Sequence, residues 1–285
     1  MDLFTFMKWP MIACLILPWL LVYLGLHIVE REIIFVDLAL AQIAALGSSL
    51  SLLFGYDVHD WQSYVFSIAF TFVGAIIFTL TRTQSHKVPQ EALIGIIYVV
   101  AAAAGILALS KGAGGSEELQ RSMIGELLVV KPSEILQTFG LFVVVGIFHF
   151  FFRKNFLAIS FEPEAALARG VSVRWWDFLF YALFGLVVTS FVHIGGVLLV
   201  FSYLIIPAIC AAYLVNSLFA RLAVGWAIAT VASMASLYVT TRVDLPLGAA
   251  IVCGLGLMLV LTIAWSAVRK GKPAPRPQTR TPVAH

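Results

Sequence analysis

Charged side chains are scarce in this sequence of 285 residues. Only 12% of its residues are Asp, Glu, Lys or Arg and 61% are hydrophobic, whereas soluble domains have roughly 25% charged residues. The mean hydropathy is +0.99. A soluble domain of this size could not bury so much apolar surface, so lipid must be the solvent. The net charge of only +3, with basic residues spread over the loops, argues against nucleic acid as a partner.

Cysteine and catalytic motifs are equally sparse. The three cysteines lie in apolar runs without the spacing of a metal site or a disulfide framework, so we interpret them as small buried hydrophobic residues. The sequence has no Walker A motif, no H-E-x-x-H and no G-x-S-x-G. These absences predict that the chain holds no cofactor and does not itself hydrolyse ATP. A channel, a carrier or a membrane-embedded enzyme remains.

Nine stretches are apolar and close to the roughly 20 residues that a helix needs to cross a membrane. The uncharged run at residues 178–215 would be about 57 Å long as one helix, so the Gly195–Gly196 pair predicts a reversal there. We therefore predict an all-α polytopic membrane protein with about nine transmembrane helices in one domain, residues 1–268. The predicted spans are residues 11–29, 33–54, 62–81, 91–110, 134–153, 175–194, 197–215, 222–241 and 247–268.

The distribution of Lys and Arg predicts the orientation of these spans. With the N-terminus outside, 13 of the 18 basic residues fall on the cytoplasmic side. The five that remain outside are Lys8, Lys111, Arg121, Lys131 and Arg242. The chain is therefore predicted to be N-out and C-in. Residues 269–285 are basic and proline-rich, which predicts a disordered cytoplasmic tail that contacts anionic lipid.

Residues 160–170, SFEPEAALARG, have the pattern of a short capped helix on the predicted cytoplasmic side. Pro163 suits the first turn, where its missing N–H costs nothing. Glu162 and Glu164 favour the positive end of the helix dipole, and Gly170 suits the C-terminal stop. A short helix with small residues, held between two spans, is suited to a groove on another protein.

This segment and a second one resemble a known family. Glu164, Ala165 and Ala166, followed after three residues by Gly170, resemble the E-A-A-x-x-x-G coupling element of ABC-importer membrane subunits. Residues 193–208, HIGGVLLVFSYLIIPA, resemble the V-G-x-L-L-V-x-x-L-L-I-x-P-A segment of permeases that import zinc, manganese or iron. The similarity covers nearly the whole chain in order, including residues 37–47, 88–95 and 123–128.

The resemblance implies an ABC-importer permease fold and a permease subunit for divalent metal ions in a bacterial plasma membrane. It also implies a second permease copy, a cytoplasmic ATP-binding subunit that carries ATP and Mg²⁺, and a periplasmic or extracellular metal-binding protein. The residues implied for ATPase coupling are Glu162, Glu164, Ala165, Ala166 and Gly170. A permease for a siderophore, haem or cobalamin type of chelate and a polytopic membrane enzyme are the alternatives.

The second span departs from the G-D-x-L-x-H pattern of the family, in which an acid and an imidazole four residues apart share one helix face. Matching the glycine to Gly47 places Gln42 at the histidine position and Leu38 at the aspartate position. Asp37 lies one residue before that position. Asp37 and Gln42 are then about 140° apart around a regular helix, so they cannot face one ion without a π-bulge.

Three interpretations of the missing pair stay open. Gln42 could form a weaker, oxygen-rich site with a group on another helix, for which His193 and Glu91 are candidates. The ion could instead pass without a strong midplane site, or the substrate could be a metal chelate. The candidate pathway residues are therefore Asp37, Gln42, Glu91 and His193, although Asp37 could also simply pair with Arg31.

Overall fold

The computed structural model describes residues 3–56, 60–82, 89–110, 125 and 127–269. Within these ranges the chain has ten α-helices, one short 3₁₀ turn at Leu127–Val129 and no strand, which confirms the all-α prediction. The predicted tail lies outside the described residues, apart from Arg269. The helices are α1 (Leu3–Glu30), α2 (Val36–Leu53), α3 (Trp61–Thr81), α4 (Gln90–Leu109), α5 (Pro132–Phe151), α6 (Arg153–Phe161), α7 (Pro163–Ala168), α8 (Val173–Leu214), α9 (Leu218–Val243) and α10 (Leu247–Arg269).

Eight helices of the described chain are long and apolar enough to cross a membrane, and one of them, α8, provides two spans. Gly196 has non-helical backbone angles and divides α8 into α8a before it and α8b after it. Near the start of α8a, Asp177 pairs with Arg31 at 3.0 Å, and just beyond α8b, Arg221 pairs with Glu30 at 3.5 Å. Both ends of α8 therefore lie at the same end of α1, so the predicted reversal is confirmed.

Glycine backbone packs closely at the apex of this reversal. Gly196 has φ 76° and ψ 161°, a conformation open essentially only to glycine. A Cβ atom on Gly125 would lie 2.2 Å from the carbonyl carbon of Gly195, so two backbones meet here with no room for a side chain. Below the apex the rings of Phe191 and Tyr203 stack with centroids 6.2 Å apart, which holds the two halves together.

The interior of the bundle is formed by α1, α2 and α8, whose most apolar windows are 61%, 67% and 61% buried. Small residues allow this close packing: a Cβ on Gly25 of α1 would lie 1.9 Å from the Leu204 carbonyl oxygen of α8b. Likewise, a Cβ on Gly47 of α2 would lie 2.6 Å from the Phe66 carbonyl oxygen of α3. The alanine and serine residues of α2 are of the small kind that lets membrane helices approach closely.

The outer helices expose apolar side chains. The windows of α3, α4 and α5 are each 28% buried and that of α10 is 22% buried. Large exposed hydrophobic residues there include Ile76, Leu80, Val99, Leu107, Val144 and Leu257. Such a surface fits lipid or another membrane subunit and not water. Cys253 is exposed on α10, so the prediction that all three cysteines are buried is wrong for this one and right for Cys14 and Cys210.

Candidate functional site

The segment predicted to be a capped helix folds as α7, a single six-residue helix. Pro163 occupies its first position. At the other end, Gly170 takes a left-handed φ of 76°. The backbone N–H groups of Gly170 and Val171 donate to the carbonyl oxygens of Leu167 and Ala166 at 3.0 Å. The glycine stop therefore satisfies carbonyls that a helix end leaves without partners.

One side of α7 is anchored and the other is open. Ala166 is fully buried, whereas Glu162, Glu164, Ala165 and Gly170 are exposed. Glu162 accepts from Arg169 at 3.2 Å in a pair where both side chains remain largely in solvent. The open side therefore presents carboxylates and a small residue.

Ser160, which precedes α7 by three residues, connects this segment to a buried ionic network. Arg31 donates from Nε to Ser160 Oγ at 2.8 Å and from Nη1 to Asp177 Oδ1 at 3.0 Å. The other carboxylate oxygen of Asp177 accepts from Arg82. The side chains of Arg31 and Asp177 are only 4% and 1% exposed. Asp177 thus joins the ends of α1 and α3 to the start of α8a.

Histidine and aromatic rings surround this network. His27 Nδ1 lies 2.8 Å from Ser160 Oγ, and the Arg31 guanidinium lies 3.9 Å from the centroid of the Phe180 ring. His149 stacks on Phe156 with ring centroids 4.0 Å apart. The His149 side chain is buried among these rings. His149 also lies within hydrogen-bond distance of a tyrosine of α1.

A polar cavity of about 230 Å³ is lined by residues of the ionic network and by the first residue of α7. Its lining includes Arg31, Arg82, Gln90, Ser160, Pro163 and Tyr181.

Among the predicted pathway residues, Asp37 and Glu91 come close together. Asp37 lies in the first turn of α2 and Glu91 in the first turn of α4. Glu91 Oε1 accepts a hydrogen bond from the backbone N–H of Phe35, two residues before Asp37, at 3.0 Å. The alternative pairing of Asp37 with Arg31 is wrong, because Arg31 is turned toward Asp177 and Ser160.

His193 lies far from this pair. Its ring is exposed near the end of α8a, 6.2 Å from that of Tyr64 in the first turn of α3. Gln90, the neighbour of Glu91, instead donates to the carbonyl of Phe78 in the last turn of α3. At 1.5 Å per residue these two contacts are about 21 Å apart along α3, so His193 and Glu91 stand at opposite ends of the bundle.

Gln42 lies within α2, more than one turn beyond Asp37, and is 5% exposed. It therefore faces the inside of the protomer and not an open surface. In the part of the chain that the structure describes, no three His, Cys, Asp or Glu side chains gather into a metal site. The four predicted residues thus divide into a carboxylate pair at one end, an amide inside α2 and an imidazole at the other end.

The network around Asp177 was not predicted from the sequence, although the sequence indicates it. Asp177 stands next to the long uncharged run, and Arg31 and Arg82 stand at predicted span ends on the same side. An ionisable residue at the edge of a membrane span needs a partner. The pairing of the three charges could have been proposed on that basis.

Comparisons with known proteins agree with this architecture. Residues 3–266 match the ABC 3 transport family. The manganese transport system membrane protein MntC of Halalkalibacterium halodurans is 26% identical over 211 residues, 72% of each chain. The manganese import system permease protein ScaB of Streptococcus gordonii is 24% identical over 259 residues, 91% of each chain. The solved structure of PsaBC from Streptococcus pneumoniae in complex with Fab has a similar fold, with a TM-score of 0.76 and 22% identity over 92% of each chain.

Proposed function

Because the chain belongs to the ABC 3 transport family, we propose that it is the permease subunit through which an ABC importer moves a divalent metal ion across a bacterial plasma membrane. The observation that carries this proposal is the family match over residues 3–266, which covers every membrane helix of the described chain except the last three residues of α10. Its relatives MntC and ScaB are named as membrane components of manganese transport. Zinc and iron are the other ions to test.

The proposed importer contains further subunits. A separate cytoplasmic subunit binds ATP and Mg²⁺, since this sequence lacks a Walker A motif. A periplasmic or extracellular protein delivers the metal. A second permease copy completes the translocation pathway, and the apolar surfaces of α3, α4, α5 and α10 offer area for that copy as well as for lipid.

We propose that α7 is the element that receives the movement of the ATP-binding subunit. Glu162, Glu164, Ala165 and Gly170 lie on its open side, while Ala166 anchors it. Ser160 then connects the segment to the buried charges of α1, α3 and α8a. Removing one partner of a buried ion pair is costly, so these helix ends should move together when α7 moves.

Gln42 and His193 are proposed as contacts along the pathway. A carboxamide oxygen binds a transition ion more weakly than a carboxylate and an imidazole together. Because Gln42 is buried within the protomer, a pathway past it requires α2 to separate from a neighbouring helix. Leu38 and Gln42 stand where the family's pattern has an acid and an imidazole, which makes a metal chelate the second candidate substrate.

Uptake by cells lacking their own metal importers tests the function. The cells produce the permease with its ATP-binding and metal-binding subunits, and receive radioactive manganese, zinc or iron as free ions or as siderophore and haem complexes. We expect uptake of a free divalent ion that stops when the ATP-binding subunit cannot hydrolyse ATP. Uptake of a chelate alone would instead establish the second candidate, and uptake of neither would contradict the proposal.

A further inference from the structure

Two carboxylates from different helices meet at the predicted cytoplasmic ends of α2 and α4. The backbone N–H of Phe35 holds Glu91 Oε1 at 3.0 Å, just before the start of α2. Asp37 follows two residues later and is close enough to Glu91 for their charges to repel. This arrangement depends on the main chain that leads into α2, so both carboxylates have defined positions.

Three of the four carboxylate oxygens of this pair are buried without a hydrogen-bond partner in the described chain. Asp37 is 1% exposed, and neither of its carboxylate oxygens has a hydrogen-bond partner. The second oxygen of Glu91 is also buried without a partner. The backbone N–H groups of Asp37 and Leu38 lie near the Asp37 carboxylate and favour its charge, although neither has the distance and angle of a full hydrogen bond.

No cation of the described chain balances the pair. Arg31, the basic residue nearest to Asp37 along the sequence, is committed to Asp177 and Ser160. Lys87, four residues before Glu91, lies outside the described residues. Burying an unpaired carboxylate is costly, and two adjacent carboxylates repel each other. The pair therefore needs either a shared proton or a bound cation.

We propose that Asp37 and Glu91 bind a divalent cation at the cytoplasmic end of the pathway. This inference rests on the proposed function for its role in transport, since a metal ion that leaves the bundle must exchange its ligands for water. The three free oxygens supply hard ligands and no imidazole or thiolate, a set suited to Mn²⁺. The pair lies at the helix ends, more than one turn away from the amide of Gln42.

Manganese binding to the purified complex of permease and ATP-binding subunit tests the site. Free aqueous Mn²⁺ has a paramagnetic resonance signal that decreases when the ion binds protein. We expect Asp37→Asn and Glu91→Gln each to weaken Mn²⁺ binding at least tenfold, with no further loss in the double variant. The matched control is Glu134→Gln, which alters a half-buried acid in the first turn of α5 and should leave the affinity unchanged.

Thermal unfolding of the same proteins distinguishes a bound cation from a proton shared by Asp37 and Glu91. Both substitutions remove a buried charge and keep the side-chain shape, so the variants should fold. We expect Mn²⁺ to raise the unfolding temperature of the unmodified complex and not of either variant. Wild-type binding that neither substitution changes would overturn the site. The site would also be overturned if the unmodified complex bound no Mn²⁺ and both variants unfolded at higher temperatures than it does without metal. That result would indicate a shared proton.

Uptake measurements separate this inference from the proposed function. If both variants lose Mn²⁺ binding and the unmodified importer takes up no metal, the site is correct and the function is wrong. If the unmodified importer transports metal and both variants keep full binding and full uptake, the function is correct and the site is wrong.

Discussion

Two buried acids of this chain have opposite surroundings. Asp177 accepts from Arg31 and Arg82, whereas Asp37 has no hydrogen-bond partner for either oxygen among the described residues. Both acids stand in the first or second turn of an apolar helix, and both are 1% exposed. Their surroundings imply different roles: Asp177 fixes helix ends in place, and Asp37 is available to a ligand.

Replacing Asp177 with Asn should therefore be strongly destabilising. The Arg31 guanidinium would remain buried without its counter-ion, at a cost of about 3 kcal/mol or more. The measurement is the unfolding free energy in detergent. The control, Glu162→Gln, breaks an exposed pair that contributes at most about 1 kcal/mol. Equal effects of the two substitutions would contradict the structural role of Asp177.

The predictions that failed for single residues concern partners that are far apart in the sequence. Asp177 and Arg31 are 146 residues apart, so no local pattern links them. Arg31 was instead considered as the partner of Asp37, because those two are near each other in the sequence. In contrast, the position of Gly170 could be predicted, because a helix stop depends on adjacent residues alone. The meeting of Asp37 with Glu91 again required the packing of two separate helices.

Among the helices, α8 shows that the length of an uncharged run can predict a reversal of the chain. A run of 38 uncharged residues exceeds the membrane thickness, so a break was predictable, and its glycine pair gave the position. The close approach of Gly125 to the same apex was not predictable. It depends on how Gly125, which precedes α5, packs against the Gly195–Gly196 apex in the middle of α8.

We expect Gly196→Ala to destabilise the reversal. The backbone angles of Gly196 are strained for any residue with a Cβ, at a cost of about 1–3 kcal/mol. The matched control is Gly256→Ala in α10, where an added Cβ meets open space and helix propensity favours alanine by about 1 kcal/mol. Unfolding temperatures should therefore shift down for the first variant and stay level or rise for the second. A fall of equal size in both would contradict a special role for the apex.

The coupling role of α7 leads to a second prediction at this scale. Gly170→Val places a β-branched residue at a left-handed φ, and Glu164→Lys reverses a charge on the open side. Both variants should reach the membrane but lose the stimulation of ATP hydrolysis by the delivered metal. Gly146→Val in α5, where space is open, serves as the control. Normal stimulation in both test variants would exclude α7 as the coupling element.

For the whole molecule, the distribution of buried surface matches a subunit that works in an assembly. The helices α1, α2 and α8 are enclosed, and the helices around them carry apolar side chains outward. The fold class, the number of spans and the reversal were accessible from composition and run length. The choice of which helices form the interior was not, because all spans are similarly apolar along the sequence.

Cysteine labelling tests the predicted N-out, C-in topology of the molecule. Ser110 after α4 and Ser172 before α8 are both exposed and belong to opposite predicted sides. In a Cys253→Ser background, Ser110→Cys should react with an impermeant thiol reagent in intact cells. Ser172→Cys should react only after permeabilisation. The reverse pattern would place α7 outside and would also remove the basis for its coupling role.

The pairing of Asp177 with two earlier arginines has a consequence for how the chain is made. Arg31 and Arg82 are synthesised 146 and 95 residues before their shared partner. At typical rates of synthesis, the first arginine waits on the order of ten seconds for its counter-ion. During that interval both arginines must stay near the lipid headgroups, where long basic side chains remain hydrated. We therefore expect the ends of α1 and α3 to be joined only after α8a has been made, since Asp177 is the counter-ion of both arginines.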